Sequence, residues 1–85
     1  MNESITFAAL DRFLHGLGFT QRSVPESHIL YEHPESGAVV VLRPFERDED
    51  VGTTTLGLVR RVLDEFGVMD RRVFDDAIRR KPVAG

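Results

Sequence analysis

Residues 27–42 read SHILYEHPESGAVVVL and contain two strand-like runs joined by a short turn. The second run, residues 38–42, has three consecutive valines, whose branched Cβ atoms suit a pleated strand better than a helix. Between the runs, Pro34 fixes φ for the first corner of a type I turn, and Gly37 accepts a positive φ at its exit. The stretch predicts a β-hairpin with His28 at the mouth of its first arm.

Side chains alternate between the two faces of a strand, which assigns the residues of the first arm to faces. His28 and Leu30 share one face, whereas Tyr31 and His33 share the other. The two histidines should not converge, so a two-histidine metal site within this strand is not expected. Tyr31 is expected to be a core or cross-strand aromatic residue rather than one that stacks on a base.

Upstream of the hairpin, apolar residues recur at helical spacing from Thr6 to Leu17. Thr6 is the predicted N-cap, with Ser4 as a rival. Residues 19–24 alternate weakly and are predicted to form a further strand. A three-stranded antiparallel sheet is therefore expected.

Downstream, a second apolar stripe runs from Leu56 to Phe66, and any threonine of residues 53–55 could cap that helix. A short third helix is expected after Asp70, its predicted N-cap, with Val73 among its inward residues. The predicted fold is an α+β two-layer sandwich of order α-β-β-β-α-α, with the helices on one face of the sheet.

Composition limits the classes of function. The chain has 85 residues, predicting one domain over 1–85, and it has no cysteine, which excludes disulfides and cysteine zinc sites. A cytoplasmic location is expected, because neither a signal peptide nor an apolar run of about 20 residues occurs. The net charge is −3 and the pI about 5.5, so nucleic-acid binding would require a local basic patch.

The segment after the hairpin, residues 46–50, is strongly acidic. A solvated loop before a helix N-terminus explains it better than a cation site, because the spacing of a calcium loop is absent. No metal or cofactor is predicted.

The motifs, taken together, resemble the HicA-type (YcfA-like) toxins of bacterial toxin–antitoxin systems. The matching segments are Leu17–Phe19, Ser27–His28, Tyr31–Pro34, Gly37 before the valines, and residues 57–63 with Gly67 and Phe74 beyond them. They extend over about residues 6–78. The resemblance implies a double-stranded-RNA-binding-domain-like fold, mRNA interferase activity and a HicB-like antitoxin protein as partner.

His28 matches the catalytic histidine of that family. The resemblance implies RNA backbone cleavage in which the imidazole moves a proton to or from the reacting oxygens. Ser27 of the same motif, with Arg22, Arg43 and Arg47 as the nearest cations in sequence, is expected to bind RNA.

The sequence departs from the family pattern in its charge. Glu26 replaces the glycine before Ser27, and Glu46 replaces a histidine after the third strand. Because carboxylates repel phosphate, a catalytically silent protein-binding module on the same fold is the alternative function. A double-stranded-RNA binder is disfavoured, because the second helix begins after Asp50 and threonines instead of lysines.

Overall fold

The computed structural model describes residues 5–23 and 28–80, without the side chain of Arg80. It is an α+β fold in which helices pack against one face of a three-stranded antiparallel sheet, which confirms the predicted class and element order. The elements are α1 Phe7–Gly16, β1 Thr20–Ser23, β2 Ile29–His33, β3 Ala38–Leu42, α2 Gly52–Glu65 and α3 Arg71–Arg80.

Helix α1 begins where the sequence predicted. The Thr6 hydroxyl oxygen accepts a hydrogen bond from the Ala9 backbone N–H at 3.2 Å, which satisfies a donor that the first turn leaves free. The rival cap, Ser4, lies outside the described residues. Leu10 and Leu14 are fully buried in the core, so the predicted apolar stripe is confirmed at its centre.

The sheet has the strand order β1-β2-β3. Tyr31 lies opposite Val40, and both are buried in the core with the helices. Leu30 lies opposite Val41 on the other face, where Val41 is 47% exposed. The predicted alternation of β2 is confirmed, and the face of Tyr31 is the inner one.

The first strand is shorter than the predicted run of residues 19–24. Phe19 precedes β1 and is buried, with its ring centroid 4.9 Å from that of His33. All the residues of β1 are exposed. Phe19 therefore serves as a core residue at the end of the α1–β1 connection, and Val24 lies outside the described residues.

His33 ties the hairpin to the end of α1. Its Nε2 is 3.0 Å from the Leu17 carbonyl oxygen, which can only accept, so Nε2 carries the hydrogen. Its Nδ1 accepts the Ser36 backbone N–H at 3.2 Å and lies 2.9 Å from the Ser36 hydroxyl. A histidine directly before Pro34 is expected to hydrogen-bond within the turn, and His33 does so with Ser36. Its contact with the Leu17 carbonyl adds a link to the end of α1.

The predicted threonine cap of α2 is wrong. The helix starts after Val51, and residues 53–55 lie within its first turn. Val51 is buried, and its N–H donates to the Ile5 carbonyl at 3.0 Å, next to an isolated β-bridge between Thr6 and Asp50. Backbone pairing and core burial set this helix start, in place of a side-chain cap.

Helix α3 begins at its predicted cap, where an Asp70 carboxylate oxygen accepts the Arg72 N–H at 3.0 Å. Phe74 and Ile78, which helical spacing also places among the inward residues of α3, are buried. Val73 was predicted to face inward but is 52% exposed, since α3 packs on its neighbours through Phe74 and Ile78. Phe66 was likewise expected in the core stripe of α2, but it follows the helix and is exposed.

Two ion pairs connect α2 to α3. Arg60 donates two hydrogen bonds of 3.0 Å to the Asp75 carboxylate, and Arg71 donates one of 2.9 Å to Asp64. The helical spacing alone predicts that Arg60 and Arg61 form a solvated face of α2 with Asp64 and Glu65 at pairing distance. Arg60 and Asp64 pair with residues of α3 instead, because α3 brings competing partners to both side chains.

Residues 46–50, hereafter the acidic loop, pack their backbone on the first turn of α1. The N–H groups of Phe7 and Ala8 donate to the carbonyls of Glu49 and Arg47 at 2.8 and 2.9 Å. The loop thus satisfies donors that the helix itself cannot pair. Its position over α1 is fixed by main-chain bonds, whatever its side chains contact.

We expect His33→Ala to lower the free energy of unfolding by about 2–4 kcal/mol, since it removes a buried ring and its hydrogen bonds to two segments. Urea denaturation measures this change. The matched control is His15→Ala, an exposed histidine whose loss should cost about 0–1 kcal/mol. Equal losses in the two variants would contradict the structural role of His33.

Candidate functional site

The predicted catalytic residue, His28, immediately precedes β2 and is half-buried. In the part of the chain that the structure describes, no hydrogen bond or ion pair engages its ring. As far as the described residues go, both ring nitrogens are available to a substrate. None of those residues supplies the orienting carboxylate or carbonyl that commonly fixes a catalytic imidazole.

The sheet face opposite the helices is hereafter called the open face, and Leu30 lies on it. Because side chains alternate along a strand, we expect His28, two residues before Leu30, to lie on the open face as well. The open face consists of Thr20, Arg22, Leu30, Glu32, Val39 and Val41, paired across the three strands. Val39 and Val41 are 43% and 47% exposed, which gives this face an apolar stripe.

The arginines expected to bind RNA are each next to a carboxylate. Arg22 lies 3.4 Å from Glu32 on the open face. Arg43 lies 3.1 Å from Glu49 and packs over the ring of Phe45, with its guanidinium carbon 4.0 Å from the ring centroid. Each pair is solvent-exposed, so its net contribution is small and an RNA phosphate can compete for the guanidinium.

Arg47, the third of these arginines, belongs to a different side of the molecule. Its guanidinium lies 3.6 Å from Asp11 of α1, in the helical layer. The structure therefore does not bring Arg22 and Arg47 into one patch. The remaining predicted contact, Ser27, lies outside the described residues, as does Glu26.

The acidic loop neutralises part of its own charge. Glu49 accepts the Glu46 backbone N–H at 3.0 Å, and this bond, followed by the hydrogen bond from Arg43, lowers the pKa of the Glu49 carboxyl. Among the described residues no group of three or more histidine, aspartate or glutamate side chains could hold a metal ion.

A buried polar cluster lies between α1 and the sheet. The Asp11 carboxylate, 9% exposed, accepts the Tyr31 hydroxyl at 2.6 Å on Oδ1. The same oxygen is 3.3 Å from His15 Nε2, and Oδ2 faces Arg47. Burial, followed by the hydrogen bond to Asp11, raises the pKa of Tyr31 well above its ordinary value.

The sequence contained only part of the signal for this cluster. Asp11 and His15 are four residues apart on a helix, the spacing at which side chains meet. His15 lies off the apolar stripe of α1, which predicts a solvated side chain. That side chain is 46% exposed, and its Nε2 lies 3.3 Å from Asp11 Oδ1. Tyr31 and Arg47 are distant in sequence, so only the fold shows that they share this carboxylate.

A cavity of about 210 Å³ lies between α2 and α3. Its apolar walls include Leu56, Phe74 and Ile78, and the Arg60–Asp75 ion pair borders it.

No helix in the described ranges has the length and apolar character needed to cross a bilayer.

Comparison of the chain with family models, curated proteins and solved structures gave no match. The resemblance drawn from the motifs therefore stays a prediction.

We expect the phenolate of Tyr31 to form only well above pH 10 in the folded protein. It is the one tyrosine, and there is no tryptophan, so phenolate absorbance reports this residue alone. Because folding raises its pKa, folding favours the neutral phenol, and that stabilisation is complete below about pH 10 and is lost as the pH rises further.

The control is the same titration in concentrated urea, where the midpoint should return to about 10. A midpoint near 10 in the folded protein would show that the hydroxyl is not buried against Asp11.

Proposed function

We propose that this protein is a HicA-like toxin ribonuclease of the cytoplasm that cleaves mRNA through His28. The observation that carries the proposal is the position of this imidazole next to the central strand, with both ring nitrogens free of partners among the described residues. The main chain beside it is fixed by pairing of Ile29 with Leu42 and Ser23 on the neighbouring strands.

The chemistry follows from an imidazole that exchanges protons near neutral pH. His28 takes the proton of an RNA 2′-hydroxyl, the 2′-oxygen bonds to phosphorus, and the 5′-oxygen leaves with a proton from water. This route requires a 2′-hydroxyl, so RNA is cleaved and DNA is not. A single histidine without an orienting partner supports slow turnover.

Substrate attraction is weak in this protein, because its net charge is −3. Arg22 is the predicted RNA contact that shares the open face with Leu30, and its distance of 3.4 Å from Glu32 marks a loose pair. An approaching phosphate can take over this guanidinium at little cost, since exposed ion pairs contribute about 0–1 kcal/mol.

A HicB-like antitoxin is the proposed protein partner. The exposed Val39 and Val41 give the open face the apolar contact area that a protein partner would bury. Covering this face would also exclude RNA from His28, if that residue follows the alternation of β2.

The second candidate function is a catalytically silent protein-binding module. It is favoured by the same exposed valines together with the carboxylate beside each arginine expected to bind RNA. Under this alternative the open face binds a protein, and His28 has no chemical role.

Induced expression separates the two candidates. We expect the wild type to arrest growth and degrade mRNA, and His28→Ala to do neither, because the proton acceptor is removed. Arg61→Ala, which removes an exposed side chain of α2, is the control and should remain toxic. Growth and transcript integrity are followed together, and each variant is checked for folding by circular dichroism.

Toxicity of His28→Ala equal to that of the wild type would refute the proposed mechanism. A soluble, folded wild type without effect on growth or mRNA would favour the silent module. That module should then form a stable complex with the product of a neighbouring gene, and Val41→Glu should abolish the complex by placing a charge on the apolar stripe.

A further inference from the structure

The Asp11 carboxylate holds two exposed basic side chains at one place on α1. His15 is on its Oδ1 side at 3.3 Å and Arg47 on its Oδ2 side at 3.6 Å. The side chains of His15 and Arg47 are 46% and 64% exposed, whereas that of Asp11 is 13% exposed. The carboxylate lies beneath, and the two basic groups lie at the surface.

The contact with Asp11 decides which side of the His15 ring faces outward. Nε2 lies 3.3 Å from the carboxylate, and Nδ1 remains for a ligand. Protonation of the ring places a hydrogen on both nitrogens and makes Nδ1 a charged donor.

No hydrogen bond to another described side chain or backbone group engages the Arg47 guanidinium, so its donors can serve a ligand. A separation of 3.6 Å from Asp11 is an ion pair too long for a hydrogen bond. A guanidinium has five N–H donors in a planar fork that matches phosphate oxygens. Its backbone is fixed, because the Ala8 N–H donates to the Arg47 carbonyl at 2.9 Å.

Tyr31 stabilises the arrangement from below. Its hydroxyl donates to Asp11 at 2.6 Å, and its ring packs edge-on to the His15 ring with centroids 6.2 Å apart. The carboxylate therefore cannot rotate without breaking a buried hydrogen bond, which keeps both basic groups in place.

We propose that His15 and Arg47 form a phosphate-binding site on α1, with Asp11 as the positioning residue and protonation of His15 as the control of affinity. The ligand is a phosphate group, either of an RNA strand or of a free anion. If the phosphate belongs to RNA, the inference rests on the proposed function, because the site then binds the substrate. It would do so on the side of the sheet away from Arg22.

Charge explains why binding depends on pH. The titratable and charged groups at His15 are Asp11 on α1, Tyr31 from β2 and Arg47 from the loop after β3. The same loop, which packs on α1, also carries the carboxylates of Glu46, Asp48, Glu49 and Asp50. Protonation of His15 adds one positive charge to these surroundings, so an anion is attracted more strongly than by the neutral ring.

The experiment measures binding of a fluorescent 2′-O-methyl oligoribonucleotide, which cannot be cleaved through its 2′-oxygen, by anisotropy at about pH 5.5 and about pH 8. We expect the wild type to bind about tenfold more tightly at the lower pH, as for one charge-assisted contact. His15→Ala should remove that difference, and Arg47→Ala should weaken binding about tenfold at both values.

Two further variants distinguish binding at a specific site from attraction by the overall charge of the protein. Arg61→Ala removes the same charge from an exposed position of α2 and should change the affinity less than twofold. Asp11→Asn keeps an acceptor for Tyr31 and removes the opposing charge, so it should tighten binding at about pH 8 and reduce the pH dependence. Equal effects of Arg47→Ala and Arg61→Ala, or an unchanged pH dependence in His15→Ala, would overturn the proposal.

A competition with inorganic phosphate identifies the source of the ligand. Displacement of the oligonucleotide at millimolar phosphate, lost in Arg47→Ala, indicates a site for small anions. Binding that resists phosphate but still depends on Arg47 indicates an RNA strand. Because binding is measured and not cleavage, the site can be confirmed in a protein that cleaves nothing, or refuted in one that cleaves RNA through His28.

Discussion

The hydrogen bond from the Tyr31 hydroxyl to the Asp11 carboxylate joins the central strand to α1 inside the core. A buried carboxylate is costly unless it is paired, and here Tyr31 of the sheet donates a hydrogen bond to it, while His15 of α1 and Arg47 of the acidic loop lie within ion-pair distance. The bond connects the side of α1 that faces the sheet to the central strand. Leu10 and Leu14, on the same helix, are fully buried in that orientation.

Local chemistry made much of the fold predictable. The second hairpin arm, Ala38–Leu42, was predicted with its observed bounds, because branched residues followed by an arginine and a proline leave little choice. Thr6 and Asp70 were predictable caps, since a short polar side chain before an apolar stripe has a specific geometric use.

The errors arose where distant segments meet. Nothing near residues 53–55 in the sequence shows that Ile5 pairs with Val51 and starts α2 without a threonine cap. Arg60 pairs with Asp75 because α3 folds back onto α2. In the candidate site, His28 and the arginines were chosen by motif and proximity in sequence, so the opposite placement of Arg22 and Arg47 required the fold.

The sheet separates two chemically different environments. On the helical side, every polar group of the Asp11 cluster has a partner, and the histidine of the hairpin turn is bonded through both nitrogens. On the open face, Val39 and Val41 are exposed and the ion pair of Arg22 is loose. The buried groups of the helical side maintain the structure, whereas the open face and the exposed ends of His15 and Arg47 have interactions left to make with another molecule.

The β-bridge between Thr6 and Asp50 joins the segment before α1 to the segment before α2. It encloses the first helix and the whole sheet within one loop of chain. Closing such a loop costs entropy that grows with its length, whereas the hairpin around Pro34 closes within a few residues. The loop lengths therefore predict that the hairpin forms early and that the bridge forms after the enclosed elements have collapsed. On this order the two helices acquire their relative positions in the late step.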